Sequence, residues 1–197
     1  MSSVRYLGAI LFFPLLVQHA WAGPVDGMGV GNSFLEGVLH PWFGIDHLLA
    51  TLAIGMLVVH VDKGSMIAVP IVFMSSLMAG TGLNGSGIWL PWGEPIVSLS
   101  VILLGVALIP GRKYPELLLA VVVALFGIYH GYVHGTDGSA GAIPLEFLFG
   151  LLVGTALLLG LGVWIGHWVE SSSKVSRSIG VVIALAGCGL LIYNLVL

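Results

Sequence analysis

The stretch His40-Pro41-Trp42-Phe43-Gly44-Ile45-Asp46-His47 sets two imidazoles and a carboxylate at the start of a segment apolar enough to cross a bilayer. A second cluster, His130-Gly131-Tyr132-Val133-His134 with Asp137 beyond it, closes another such segment. Ionisable groups within membrane spans are costly, about 2.5–3.5 kcal/mol for Asp, Lys or Arg on insertion scales, and so they mark function. Imidazole with carboxylate is a donor set for a borderline divalent cation such as nickel, cobalt or zinc. One such histidine alone reads as a hydrogen-bonded packing residue. Four at one membrane face, accompanied by carboxylates, read as a site.

The elements that must position them are membrane helices. The chain has 197 residues, 58% hydrophobic and 8% charged, with a mean hydropathy of +1.09. Soluble domains carry about 25% charged residues. An all-α integral membrane protein with almost no soluble portion is therefore expected. The net charge of −3 carries no signature of nucleic-acid binding. The single cysteine, Cys188, excludes an intramolecular disulfide and a thiolate metal site. Residues 1–22 read as a cleavable signal peptide: Arg5, an apolar run from Leu7 to Val17, and Ala20-Trp21-Ala22 before Gly23. The other reading is an uncleaved first anchor. His19 falls in this segment and is left out of the site.

The remaining residues, 23–197, read as a single six-helix transmembrane domain. Apolar stretches lie near 40–59, 66–83, 94–109, 116–134, 143–166 and 178–196. Most approach the ~20 residues needed to span a hydrocarbon core, and the third is short. Glycine, proline and polar residues punctuate the connectors. After the signal the cations are Lys63, Arg112, Lys113, Lys174 and Arg177. Six spans with an outside start put all five in inner loops, a complete positive-inside pattern. Asp26, Glu36, Asp46, Glu94, Asp137 and Glu146 then gather at or near the outer face with His40, His47, His130 and His134. That field attracts cations. His60 and His167 fall at the inner rim, as interfacial packing residues.

Helix geometry sorts the candidates into two levels. On a regular helix His40 and His47 share a face but stand about 10 Å apart along the axis, too far for one ion. Pro41 and Gly44 allow a break there. His130 and His134 are i,i+4 neighbours. Because the fourth span runs outward, His130 is the deeper and should lie level with Asp46 and His47. The inner set is then Asp46, His47 and His130. The outer set is His40, His134 and Asp137, with Glu94 at the start of the third span. Gly127, Gly131 and Gly135 form a small-residue stripe that should let the first span approach the fourth. Met74 and Met78, at copper-ligand spacing, read as apolar filler.

These residues resemble the HupE/UreJ family of hydrogenase and urease accessory membrane proteins. His40-Pro41, Gly44 and Asp46-His47, followed by Leu48-Leu49-Ala50, match its first signature, a His-Pro-x-x-Gly-x-Asp-His block. Phe126, His130-Gly131 and His134-Gly135 match the second, and Glu94 with Ser98 to Gly105 resembles the third span. The second signature commonly ends in Glu where this chain has Asp137, which keeps the charge and shortens the reach. The resemblance covers nearly all of the mature chain and implies a secondary permease for nickel or cobalt.

The resulting expectation is a multi-pass permease of the bacterial inner membrane, not an enzyme, with a divalent metal ion (nickel, cobalt or zinc) as bound substrate. Its metal-binding residues would be His40, Asp46, His47, His130, His134, Asp137 and Glu94. The partners are the metal ion and the lipid bilayer, with no nucleic acid. A homo-oligomer or a metalloenzyme-maturation partner is compatible with the sequence. Neutral imidazole binds metal, so uptake should weaken at acid pH. No nucleotide-binding P-loop is present. The rival readings are an intramembrane zinc hydrolase, which needs three ligands and an open position for water, and a non-transporting sensor or accessory subunit.

Overall fold

The computed structural model describes residues 33–61, 66–134, 144–169 and 173–196. Among them the chain is all-helical: α1 (Phe34–Phe43), α2 (Ile45–Val58), α3 (Ala68–Gly85), α4 (Gly93–Leu108), α5 (Glu116–His134), α6 (Leu145–Val169) and α7 (Ser173–Val196). The sole extended pairing among the described residues is an isolated bridge between Val61 and Tyr114, where the Tyr114 N–H donates to the His60 carbonyl at 3.0 Å. Four helices, α3, α5, α6 and α7, are individually long and apolar enough to cross a membrane. The α1–α2 pair passes the same test as one span bent by 81°, and α4 is a shorter apolar helix. The signal segment lies outside the described residues.

The first span departs from the sequence expectation in two ways. It begins at Phe34 rather than near residue 40, and it is not a single helix. Ser33 starts α1 through a capping box: its hydroxyl accepts from the Glu36 N–H at 3.3 Å, and the Glu36 carboxylate accepts from the Ser33 N–H at 3.2 Å. Such a cap is worth about 1 kcal/mol. Pro41 then removes one helical donor. Gly44 leaves the helix altogether with φ −74° and ψ 107°. It closes α1 by donating to the His40 carbonyl at 3.1 Å and opens α2 by accepting from the Leu48 N–H at 2.8 Å. A Cβ at Gly44 would crowd the Asp46 carboxylate at 3.3 Å, so the close approach favours glycine at the bend.

Three glycine-knit pairings build the bundle. The two arms of the bent span both lie along α6 and run in its direction. Gly150 and Gly154 receive the backbone at Phe34 and Val38, while Gly162 and Gly166 receive Leu52 and Met56. Helices α3 and α5 are likewise parallel, with Gly127 against Phe73 and Gly131 against Leu77. Helices α4 and α7 run antiparallel, with Gly187 against Ile102 and Gly105 against Gly180 and Ala184. Small residues let backbones touch, which is where membrane helices gain packing energy. One expectation is thereby corrected: Gly127 and Gly131 face α3, not the first span. A stripe of glycines announces a close approach without naming the helix that makes it. Gly135 lies outside the described residues.

Helix α2 sits in the middle of this arrangement. From Ala53 to Val58 every residue is buried, as are His47, Ala50 and Thr51. The outer helices show the opposite pattern. Leu117, Leu118, Val121 and Leu125 on α5 are exposed, as are Val182, Leu185 and Ile192 on α7. Contiguous apolar surface of this kind needs a lipid environment. The chain is a multi-pass membrane protein.

Candidate metal site

The bend at Gly44 starts a new helix inside the bundle, and its first turn carries the site. Asp46 occupies that turn, where a carboxylate suits the positive helix end. One of its oxygens accepts from the His47 backbone N–H at 2.6 Å. The next residue, His47, is fully buried, and its Nε2 lies 3.3 Å from the Thr155 hydroxyl of α6. His130 arrives from α5, also fully buried, with Nε2 2.9 Å from the Ser100 hydroxyl of α4. The two rings meet edge to face, their centroids 5.5 Å apart and their planes at 90°. Phe73 of α3 packs its ring against both, 6.3 Å from each. Five helices thus converge on one imidazole pair.

Of the inner set expected from sequence, the structure brings the two imidazoles together. His47 and His130, 83 positions apart (130 − 47), meet edge to face. Asp46 is next to His47 in the chain, with its carboxylate engaged at the α2 N-terminus. His40 stands on the other arm of the bend, buried against Phe147 of α6 with ring centroids 5.6 Å apart. Glu94 is in the first turn of α4, six residues before Ser100. His134 is the last residue of α5, but its side chain and Asp137 lie outside the described residues. Among the described residues no three His, Cys, Asp or Glu side chains form a ligand set for a metal ion. The imidazole pair is the nucleus that is present.

Residues around that nucleus were missed in the sequence. Ser100, Thr155 and Thr51 are fully buried hydroxyls, and Ser98 is nearly so. Ser98 donates to the Glu94 carbonyl at 3.0 Å and accepts from Asn194 of α7 at 2.8 Å, so the last helix braces the turn that carries Glu94. Thr51 lies one turn along α2 from His47, and its hydroxyl oxygen has no hydrogen-bond partner among the described residues. A buried unsatisfied hydroxyl costs about 1–3 kcal/mol. Thr51→Val, which keeps the shape, is therefore expected to leave stability unchanged or to raise it by about 1 kcal/mol. Thermal unfolding in detergent measures this, and a clear drop in midpoint would show that the hydroxyl is bonded in the native protein.

Fold and site together define a class: a multi-pass helical membrane protein with a buried histidine pair beside the corner of a bent helix pair. The family model described as HupE / UreJ protein matches residues 10–190, and the chain belongs to that family. Protein HupE of Rhizobium leguminosarum bv. viciae is 34% identical over 180 residues, which cover 89% of this chain and 91% of that protein. No solved structure matches the chain significantly.

Proposed function

We propose that the protein is a secondary permease for divalent transition-metal ions, nickel or cobalt foremost, in the bacterial inner membrane. The observation that carries this reading is the meeting of His47 and His130, two fully buried imidazoles from separate helices with centroids 5.5 Å apart. Neutral imidazole binds such cations well, and burial replaces bulk water with a small number of chosen donors. In this reading hydrated cation collects at the acidic outer face. His40, Glu94, His134 and Asp137 begin to replace its water, and Asp46, His47 and His130 take it deeper. A conducting site must also release its ion. Two imidazoles flanked by hydroxyls suit release better than the three protein ligands that retain a hydrolase's zinc.

Radioactive nickel and cobalt uptake into proteoliposomes is the direct test. Uptake should exceed that of empty vesicles and fall as the outside is acidified through the imidazole range, because protonation removes the donor lone pair. Uptake equal to that of empty vesicles at every pH would reject the permease reading.

We further propose six spans after a cleaved signal peptide, with residues 84–93 outside and 110–115 inside. The helix directions support alternation: a first-to-fifth and a second-to-fourth pairing are parallel, and a third-to-sixth pairing is antiparallel. In a Cys188→Ala background, a cysteine at position 113 should resist an impermeant thiol reagent in intact cells, while one at position 86 should react. Labelling of position 113 from outside would overturn the arrangement.

A further inference from the structure

We infer that Ser100 selects the tautomer of His130 and so makes Nδ1, not Nε2, the ring nitrogen that meets the cation. The second half of this statement rests on the permease reading. The first half concerns the metal-free protein alone.

A serine hydroxyl has one proton to give. The Ser100 oxygen lies 2.6 Å from the Val97 carbonyl and 2.9 Å from His130 Nε2. A carbonyl oxygen can only accept, so the serine proton goes there. The contact with His130 is then donated by the imidazole, and Nε2 carries its proton. A neutral ring protonated at Nε2 has its lone pair on Nδ1. Both residues are fully buried, so bulk water does not compete for either position. The ring is also held in place. His47 stands against it at 90° and Phe73 at 70°, and a flip of the ring would set a carbon against the Ser100 oxygen. Histidines that bind metal through one nitrogen are oriented by a hydrogen bond from the other, and losing that bond typically weakens affinity about 10- to 100-fold. Ser100 fills this role on His130, which makes it a positioning residue for the site.

The test uses the full-length protein in bilayers, with 15N-labelled histidine and no metal, and a His130→Gln spectrum to identify the resonances. In the wild type, His130 should show a protonated Nε2 and an unprotonated Nδ1. Ser100→Ala should lose that tautomer preference and bind Ni²⁺ alone about 10- to 100-fold more weakly, with a thermal midpoint lowered by the loss of a buried hydrogen bond but a cooperative unfolding transition retained. Ser100→Thr, which keeps the hydroxyl, should restore both. A wild-type His130 protonated at Nδ1 would overturn the inference, as would Ser100→Ala with the wild-type tautomer and affinity. If Ser100→Ala does not fold, the wild-type spectrum and Ser100→Thr decide the matter. If the tautomer behaves as expected but the wild type binds neither Ni²⁺ nor Co²⁺, the permease reading fails and the tautomer lock stands.

Discussion

His47→Ala and His130→Ala are each expected to lower Ni²⁺ affinity by at least about 100-fold, the upper end of what loss of a mere supporting group costs at metal sites. The double substitution should add little. The two rings lie 5.5 Å apart in one buried space, so either truncation destroys the shared site and leaves nothing for the other to remove. Equilibrium binding of nickel to the purified protein in detergent measures all three variants. Losses that simply multiply in the double variant would mean two independent sites, and the shared-site mechanism would be abandoned. His40→Ala belongs in the same series. It stands on the other arm of the bend against Phe147, so its loss should slow uptake more than it weakens equilibrium binding.

Gly131→Ala should be nearly as damaging without touching a ligand. Its new methyl would run into the Leu77 carbonyl on α3, and a backbone group cannot swing aside. Overpacking of this sort costs about 1–3 kcal/mol or more. Here it also displaces the turn of α5 that holds His130, one residue away. Gly160→Ala is the control, because nothing lies within 4 Å of a Cβ there. On helix propensity alone alanine gains up to about 1 kcal/mol over glycine. The expected outcome is a lowered thermal midpoint with weakened nickel binding for Gly131→Ala, and an unchanged or raised midpoint with normal binding for Gly160→Ala. Equal behaviour of the pair would show that the α3–α5 contact yields freely and does not position His130.

The meeting of the two imidazoles was legible in the sequence, because His47 near the start of one apolar segment and His130 near the end of another fall at the same end of two oppositely directed helices. The start of the first span was not found, although its signal is present: Ser33-x-x-Glu36 is a capping box. Hydrophobicity counted from His40 outweighed it. The break at Gly44 followed from Pro41 and Gly44 only as an option, since both residues also occur in continuous membrane helices. The hydroxyls were hidden for a different reason. Ser76 satisfies itself on the Phe73 carbonyl three residues back in its own helix. Ser100 does the same at Val97 and reaches His130 as well. In an apolar run the two kinds look alike, because short hydroxyls can bond locally wherever a helix places them.

The bend at Gly44 also bears on how the protein is made. At about 1.5 Å per residue, α1 spans roughly 15 Å and α2 roughly 21 Å, and neither alone crosses a hydrocarbon core of about 30 Å. The glycines that seat the two arms, 150, 154, 162 and 166, are synthesised more than a hundred residues after Gly44. While the nascent chain is still short of α6, the four glycines that seat the two arms of the 81° corner are not yet made. The break would also expose backbone groups to lipid, where unsatisfied donors and acceptors each cost several kcal/mol. The seat for both arms, and the Thr155 hydroxyl that meets His47, come only with α6, so the histidine site is a late product of assembly.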